Sequence, residues 1–141
     1  MKDHTMFTSV STRAATAYQR VGIETSVNSA DPHQLVNLLY EALLKSLGSA
    51  VAAMKRKDIA TKCTEIGRAV RLIEDGLTAS LDQKNGGELA RNLSALYDYC
   101  TRRLMLANAE NDPEKIEEVL RLIEPIAAGW KQIRPQVVAG A

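Results

Sequence analysis

The chain has 141 residues, 45% of them apolar and only 4% aromatic, with a formal net charge of +1. That length supports one domain with one core and leaves little room for two. A near-neutral balance removes the electrostatic case for nucleic acid or an anionic membrane as partner, and a core so poor in aromatics must be built from Leu, Ile, Val and Ala, which suits packed helices.

Residues 1–30 carry nine Ser or Thr and no sustained apolar period. Such a stretch buries too little surface to order itself, so it reads as a mobile N-terminal arm. Within it Thr12 to Val21 predicts a short helix, with Ala14, Ala17, Tyr18 and Val21 on one side and Gly22 as its stop. Ile23 and Val27 are the only apolar anchors between that helix and Ala30. No run here is long or apolar enough for a secretory signal or a membrane span, so a cytoplasmic address and no membrane insertion are expected.

Asp31-Pro32 predicts a helix start: Asp caps free amides, Pro fits the first helical position, and Gln34 can complete a capping box. From there to Met54, Leu35, Leu39, Ala42, Leu43, Leu47, Ala50, Val51 and Met54 recur at three- and four-residue steps, one side of about six turns. Val36, Tyr40 and Leu44 add a second apolar row, wider than packing against one neighbour requires. That row either completes the core beneath the arm or forms a binding surface.

Lys55-Arg56-Lys57 complements the negative end of this helix, and Asp58 predicts the next cap. Ile59, Cys63, Ile66, Val70, Ile73, Leu77 and Leu81 then form a heptad-like seam. The seam permits a homodimer, although short flanking turns favour folding back on the same chain. Asn85-Gly86-Gly87 predicts a sharp turn between Asp82 and Gly87, with no strand before it and no Lys-Ser/Thr after it to make a phosphate loop. A third helix, about Glu88 to Ala109, places Leu89, Leu93, Leu96, Tyr97, Cys100, Leu104 and Ala107 together, and leaves Tyr99, Arg103 and Leu106 off that row. Asp112-Pro113 repeats the cap-plus-proline start. The fourth helix carries Ile116, Val119, Leu120, Ile123, Ile126, Ala127, Trp130 and Ile133, with Pro125 as an expected kink, Trp130 as a core anchor and Pro135 as the stop.

The fold class that follows is all-α: an antiparallel up-down four-helix bundle over residues 31–134, an arm with a short helix before it, and a frayed tail over 135–141. Chemistry is hard to place on it. The only histidines, His4 and His33, provide no Glu-x-x-His pair, two Cys and two His match no zinc spacing, and Cys63 and Cys100 sit on apolar rows where a reduced thiol behaves as a small hydrophobe. Arg68, Arg71, Arg102 and Arg103 are interspersed with Glu65, Glu74, Asp75 and Asp98, a mixed solvated surface rather than a nucleic-acid footprint. A non-enzyme with no cofactor and no metal is expected, and helix-in-groove protein binding is the function the excess apolar rows suit.

The ordered set Tyr18-Gln19-Arg20-Val21, Thr25, Asp31-Pro32-His33-Gln34-Leu35-Val36, Leu38-Leu39-Tyr40-Glu41, Gly76-Leu77, Leu81-Asp82, Gly86-Gly87-Glu88, Asn92-Leu93, Leu96-Tyr97-Asp98-Tyr99, Arg103-Leu104, Ala107-Asn108 and Trp130 resembles the flagellin-specific export chaperones, the FliS family. The resemblance implies a cytoplasmic chaperone that binds the disordered C-terminal segment of flagellin, prevents premature polymerisation and delivers it to the flagellar type III secretion gate. On that resemblance Leu35, Leu39, Tyr40, Leu93, Leu96, Tyr97 and Leu104 are expected at the flagellin-binding groove, and Tyr18, Val21 and Ile23 in an arm that covers the groove and contacts the export gate protein. The alternative reading is a non-catalytic regulatory or scaffolding bundle acting as a homodimer; weak self-association fits either.

Overall fold

In the computed structural model, residues 31–133 are described, and every element among them is helical. Helix α1 spans Pro32–Lys55, α2 Ile59–Arg71, α3 Gly87–Glu110 and α4 Pro113–Gln132. A π-helical stretch, Leu72–Thr78, continues α2 without a break. Helix α1 packs against α2 and α4, and α3 against α4 and the α2 arm, meaning α2 with its π-helical continuation, so consecutive helices are neighbours and α1 faces α3 across the diagonal. This is the antiparallel four-helix bundle.

The starts are set locally. Asp31 accepts from the Gln34 amide at 2.7 Å, Asp58 from the Thr61 amide at 3.2 Å and Asp112 from the Glu114 amide at 3.0 Å, each satisfying a donor that the first turn leaves free. Two ends use left-handed residues other than glycine, Lys57 at φ 60° and Asn111 at φ 54°. In both, the amide one residue further on returns to a carbonyl in the last turn: Asp58 to Ala53 at 2.9 Å, Asp112 to Ala107 at 3.1 Å. Lys62 secures the second of these ends. Almost wholly buried, its ammonium donates to the Asn108 carbonyl at 3.1 Å and to Asn111 Oδ1 at 2.6 Å, placing a cation at the negative end of α3.

The interior is aliphatic, drawn from Leu39, Leu43 and Leu47 of α1, Ile66, Leu72, Ile73 and Leu77 of the α2 arm, Leu104 of α3, and Ile116, Val119 and Ile123 of α4. The heptad seam is thus largely consumed inside the chain, but its first two members are not: Ile59 is 56% exposed and Cys63 is exposed, with its thiol near Asn108 Oδ1 at 3.7 Å. Lys62 takes the inward position in that turn instead, because its head has two acceptors at the end of α3. Cys100 is buried as the pattern predicts.

The π-helical stretch is absent from the periodic reading. Adjacent residues of a uniform α-helix lie 100° apart, and a wider turn spreads that angle differently along the stretch. Within it Leu72 with Ile73 and Gly76 with Leu77 all lie inside, as Leu35 with Val36 and Leu39 with Tyr40 do on α1. It also brings Gly76 against α1, where a Cβ would fall 2.9 Å from Leu39 Cδ2. Pro125 lies within α4, which runs on to Gln132. At the reversal before α3 only Gly87 takes a positive φ, 59°; Gly86 is required for space, since a Cβ there would sit 2.6 Å from the Asp82 carbonyl oxygen.

Candidate functional site

The seven bundle residues expected at a groove divide into two groups. Leu35, Leu39, Tyr40, Tyr97 and Leu104 lie in the interior, each 2% exposed or less, while Leu93 and Leu96 are half-buried on α3. Tyr18, Val21 and Ile23 fall outside the described residues. Tyr40 and Tyr97 meet across the diagonal, hydroxyl to hydroxyl at 2.6 Å, so α1 and α3 are tied at the bundle centre by a polar contact. Burial pushes both phenols above their usual range; for Tyr97 the neighbouring Tyr40 adds to the effect, whereas for Tyr40 the hydrogen bond from Tyr97 offsets part of it. Tyr99 points elsewhere: partly exposed, it donates to Glu118 Oε2 of α4 at 2.5 Å, beside Arg103, whose Nε donates to Glu118 Oε1 at 2.7 Å. These two donors hold the Glu118 carboxyl below the ordinary carboxylate range.

What remains unburied is instructive. The N-terminal half of α3 presents Leu89, 69% exposed, with Leu93 and Leu96 half-buried at four- and three-residue steps. Antiparallel packing sets this half beside the C-terminal half of α4, which offers half-buried Leu122 and Ile126, with exposed Ile133 just past its end. Between α4 and α1 an apolar depression of about 240 Å³ opens. Tyr40 and Leu44 form one wall, Ala127 and Ala128 the other, and Glu41 and Lys131 stand among its flanking charges. The row Val36, Tyr40 and Leu44 therefore divides between the two roles considered for it: Val36 and Tyr40 are buried, and the depression is lined by half-buried Leu44 together with the small part of Tyr40 that reaches it. Of the two small side chains of α4 that open this space, Ala127 lies on the apolar row read from the sequence and Ala128 falls off it.

The end of the bundle where the described residues begin and end is closed by a reciprocal clasp. Trp130 Nε1 donates to the His33 carbonyl at 2.9 Å, His33 Nε2 donates to the Trp130 carbonyl at 2.5 Å, and the two rings stack 4.7 Å apart at 7°. Trp130 is thus a packing anchor with both ends of its indole used. Among the described residues no group of three His, Cys, Asp or Glu side chains is placed to hold a metal ion. Helix α1 is the one described helix long and apolar enough to cross a membrane, yet it packs on both α2 and α4 and much of that apolar length is inside the bundle.

The described residues form an all-helical bundle that has filled its interior and still leaves an apolar strip along α3 and an apolar furrow between α1 and α4. Residues 14–137 match the family described as flagellar protein FliS, and the chain belongs to that family. It is 45% identical over 120 residues to the flagellar secretion chaperone FliS of Salmonella typhimurium, covering 85% of this chain and 89% of that one. It is 42% identical over 121 residues to FliSB of Pseudomonas aeruginosa, covering 86% and 95%, and 34% identical over 117 residues to FliS of Bacillus subtilis, covering 83% of each.

Proposed function

We propose that this protein is a non-catalytic cytoplasmic chaperone that holds the C-terminal segment of flagellin, keeps it from polymerising early, and presents it to the flagellar type III secretion gate. Membership in the FliS family over residues 14–137, whose relatives are named flagellar secretion chaperones, is the observation that carries the reading. The physical support is the apolar surface the bundle leaves over: Leu89, Leu93 and Leu96 beside α4, and the depression at Leu44 and Ala127. Furrows of this kind receive the apolar faces of a client's amphipathic helices. A client disordered when free spends contact energy on ordering, so it covers a large surface and still lets go, as export demands. The apolar stripes so masked are those available for packing into a filament. Tyr18, Val21 and Ile23 of the arm serve the export gate protein once the client is seated.

The test is titration of the full chain with flagellin's C-terminal segment, read by hydrogen exchange and by substitution. Leu96→Asp and Leu44→Asp are expected to weaken binding at least tenfold while shifting the melting temperature little, since both side chains are already half in water. Binding that ignores both substitutions, with protection confined to helix ends, would refute the furrow.

A further inference from the structure

Tyr40 and Tyr97 are each 2% exposed, yet each also reaches a recess of the surface. Tyr40 of α1 lines the apolar depression against α4, with Leu44 on its own helix and Ala127 and Ala128 on the other. Tyr97 of α3 lines a cleft between the π-helical stretch and α3, together with Ser94 and Thr101. Because consecutive helices are neighbours, the edge between α4 and α1 lies opposite the edge between the α2 arm and α3. The two hydroxyls, 2.6 Å apart, therefore span the core from one recess to the other.

We infer that Tyr97 is a positioning residue for the client furrow: its hydroxyl holds that of Tyr40 in the core and so keeps the depression between α1 and α4 clear and apolar. The inference rests on the chaperone reading above, in which that depression receives an apolar face of the client. Among the described residues Tyr97 is the hydrogen-bond partner of the Tyr40 hydroxyl. The apolar residues of α4 beside Tyr40 are both alanines, which leave space for a phenol to tilt, and the helical χ1 wells near 180° and −60° are both open to it. A buried hydroxyl without a partner is disfavoured about five- to 150-fold against one that has a partner. Deprived of Tyr97, the Tyr40 hydroxyl regains hydrogen bonds by way of the depression: the ring tilts into it, or water enters from it. Full ejection of the ring would forfeit burial of similar worth, so the tilt stops with the ring still against Leu44 and Ala127. Either outcome puts a polar group where an apolar client side chain must lie.

The geometry makes the two halves of the pair unequal for binding although they are equal for stability. Tyr40→Phe strands the hydroxyl of Tyr97 instead, and the recess within its reach is the cleft on the far side. Thr101, whose buried Oγ1 also lacks a partner, lines that same cleft one turn further along α3. The furrow then stays dry. Replacing both residues removes the two hydroxyls together and leaves neither ring a reason to move. A residue that merely stabilised the bundle would act through the fraction folded, and both single changes would shift binding alike.

The full wild-type chain, Tyr97→Phe, Tyr40→Phe and the double variant are titrated with flagellin's C-terminal segment well below their melting temperatures. Tyr97→Phe is expected to raise Kd about three- to tenfold, as a furrow clear in roughly a tenth to a third of the molecules requires. Tyr40→Phe is expected to bind at least as tightly as wild type, and adding it to Tyr97→Phe restores the wild-type affinity. Nitration of the free chain, mapped by residue, reads the same event without a client. In Tyr97→Phe the rate at Tyr40 is expected to rise about fivefold or more over wild type, and by a larger factor than Cys100 gains toward a thiol reagent, which measures unfolding. Unchanged affinity in Tyr97→Phe, equal losses in the two singles, a loss that persists in the double variant, or a Tyr40 no more reactive than unfolding explains would overturn the positioning role and leave the furrow standing. A segment that fails to bind the wild-type chain would overturn the client assignment and this role with it.

Discussion

The Tyr40–Tyr97 contact offers the sharpest test of how the bundle is held. Both rings are 2% exposed and their hydroxyls are 2.6 Å apart. Tyr97→Phe keeps the ring and strands the Tyr40 hydroxyl in an aliphatic core, which costs about 1–3 kcal/mol; Tyr40→Phe does the same to Tyr97. Replacing both removes donor and acceptor together and is expected to be nearly neutral. The coupling in the double-mutant cycle is thus the sum of the two single losses, about 2–6 kcal/mol, and at about 2–4 °C per kcal/mol for a domain near 150 residues each single change lowers the melting temperature by roughly 2–12 °C. Urea unfolding of the four proteins measures it. The pair also predicts alkaline behaviour. Both native phenols titrate above their unfolded value of 10.0, so the unfolded chain loses protons first. The pair's contribution is complete below pH 10 and declines as pH rises beyond it; the double Phe protein lacks that part of the decline. Additive losses in the singles and the double, or client binding that fails when both are Phe, would refute the assignment of these tyrosines to the core.

Cys100 adds a second alkaline contribution: burial, then the Glu118 charge, push its thiol from 9.0 up to about 11, so about 2–3 kcal/mol is lost between pH 9 and about 11, and Cys100→Ala should flatten the stability profile in that window. A thiol reagent at neutral pH should modify one cysteine quickly, the exposed Cys63, and the second only at the rate of unfolding. At the reversal, Gly86→Ala should cost more than Gly87→Ala, about 1 kcal/mol for the latter, even though Gly87 has the positive φ, because only at Gly86 does a Cβ meet backbone. Lys62→Met should preserve the packed stem and still cost about 1–2 kcal/mol by freeing the end of α3, seen as early fraying of residues 107–111 in hydrogen exchange.

Much of the architecture was legible in the chain because its signals are local. Asp31-Pro32, Asp58 and Asp112-Pro113 need only their own next three residues to start a helix, and Gly86-Gly87 needs only its own backbone to turn. Three- and four-residue apolar steps likewise declare that each helix has an inner side. Those steps do not say which neighbour that side meets. Leu93 and Tyr97 stand one turn apart on the same row, yet one is half in solvent and the other bonded to Tyr40 at the centre, a distinction made by how α1, α2 and α4 are rotated about α3. Ile59 and Leu89 satisfy the same period and are exposed, whereas Leu35 and Ile116, also close to the starts of their helices, are buried.

The sequence by itself determined four helices, their limits, their order and the family that order resembles, since caps, turns and periodicity are properties of adjacent residues. Only tertiary structure decided that the α2 arm widens at Leu72–Thr78, that Lys62 displaces Cys63 from the inner row, and that surface was left over at Leu44, Leu96 and Ser94. Each depends on contacts among residues far apart in the chain: a π turn is adopted for the partners it meets, and a cleft is the space two helices fail to fill between them.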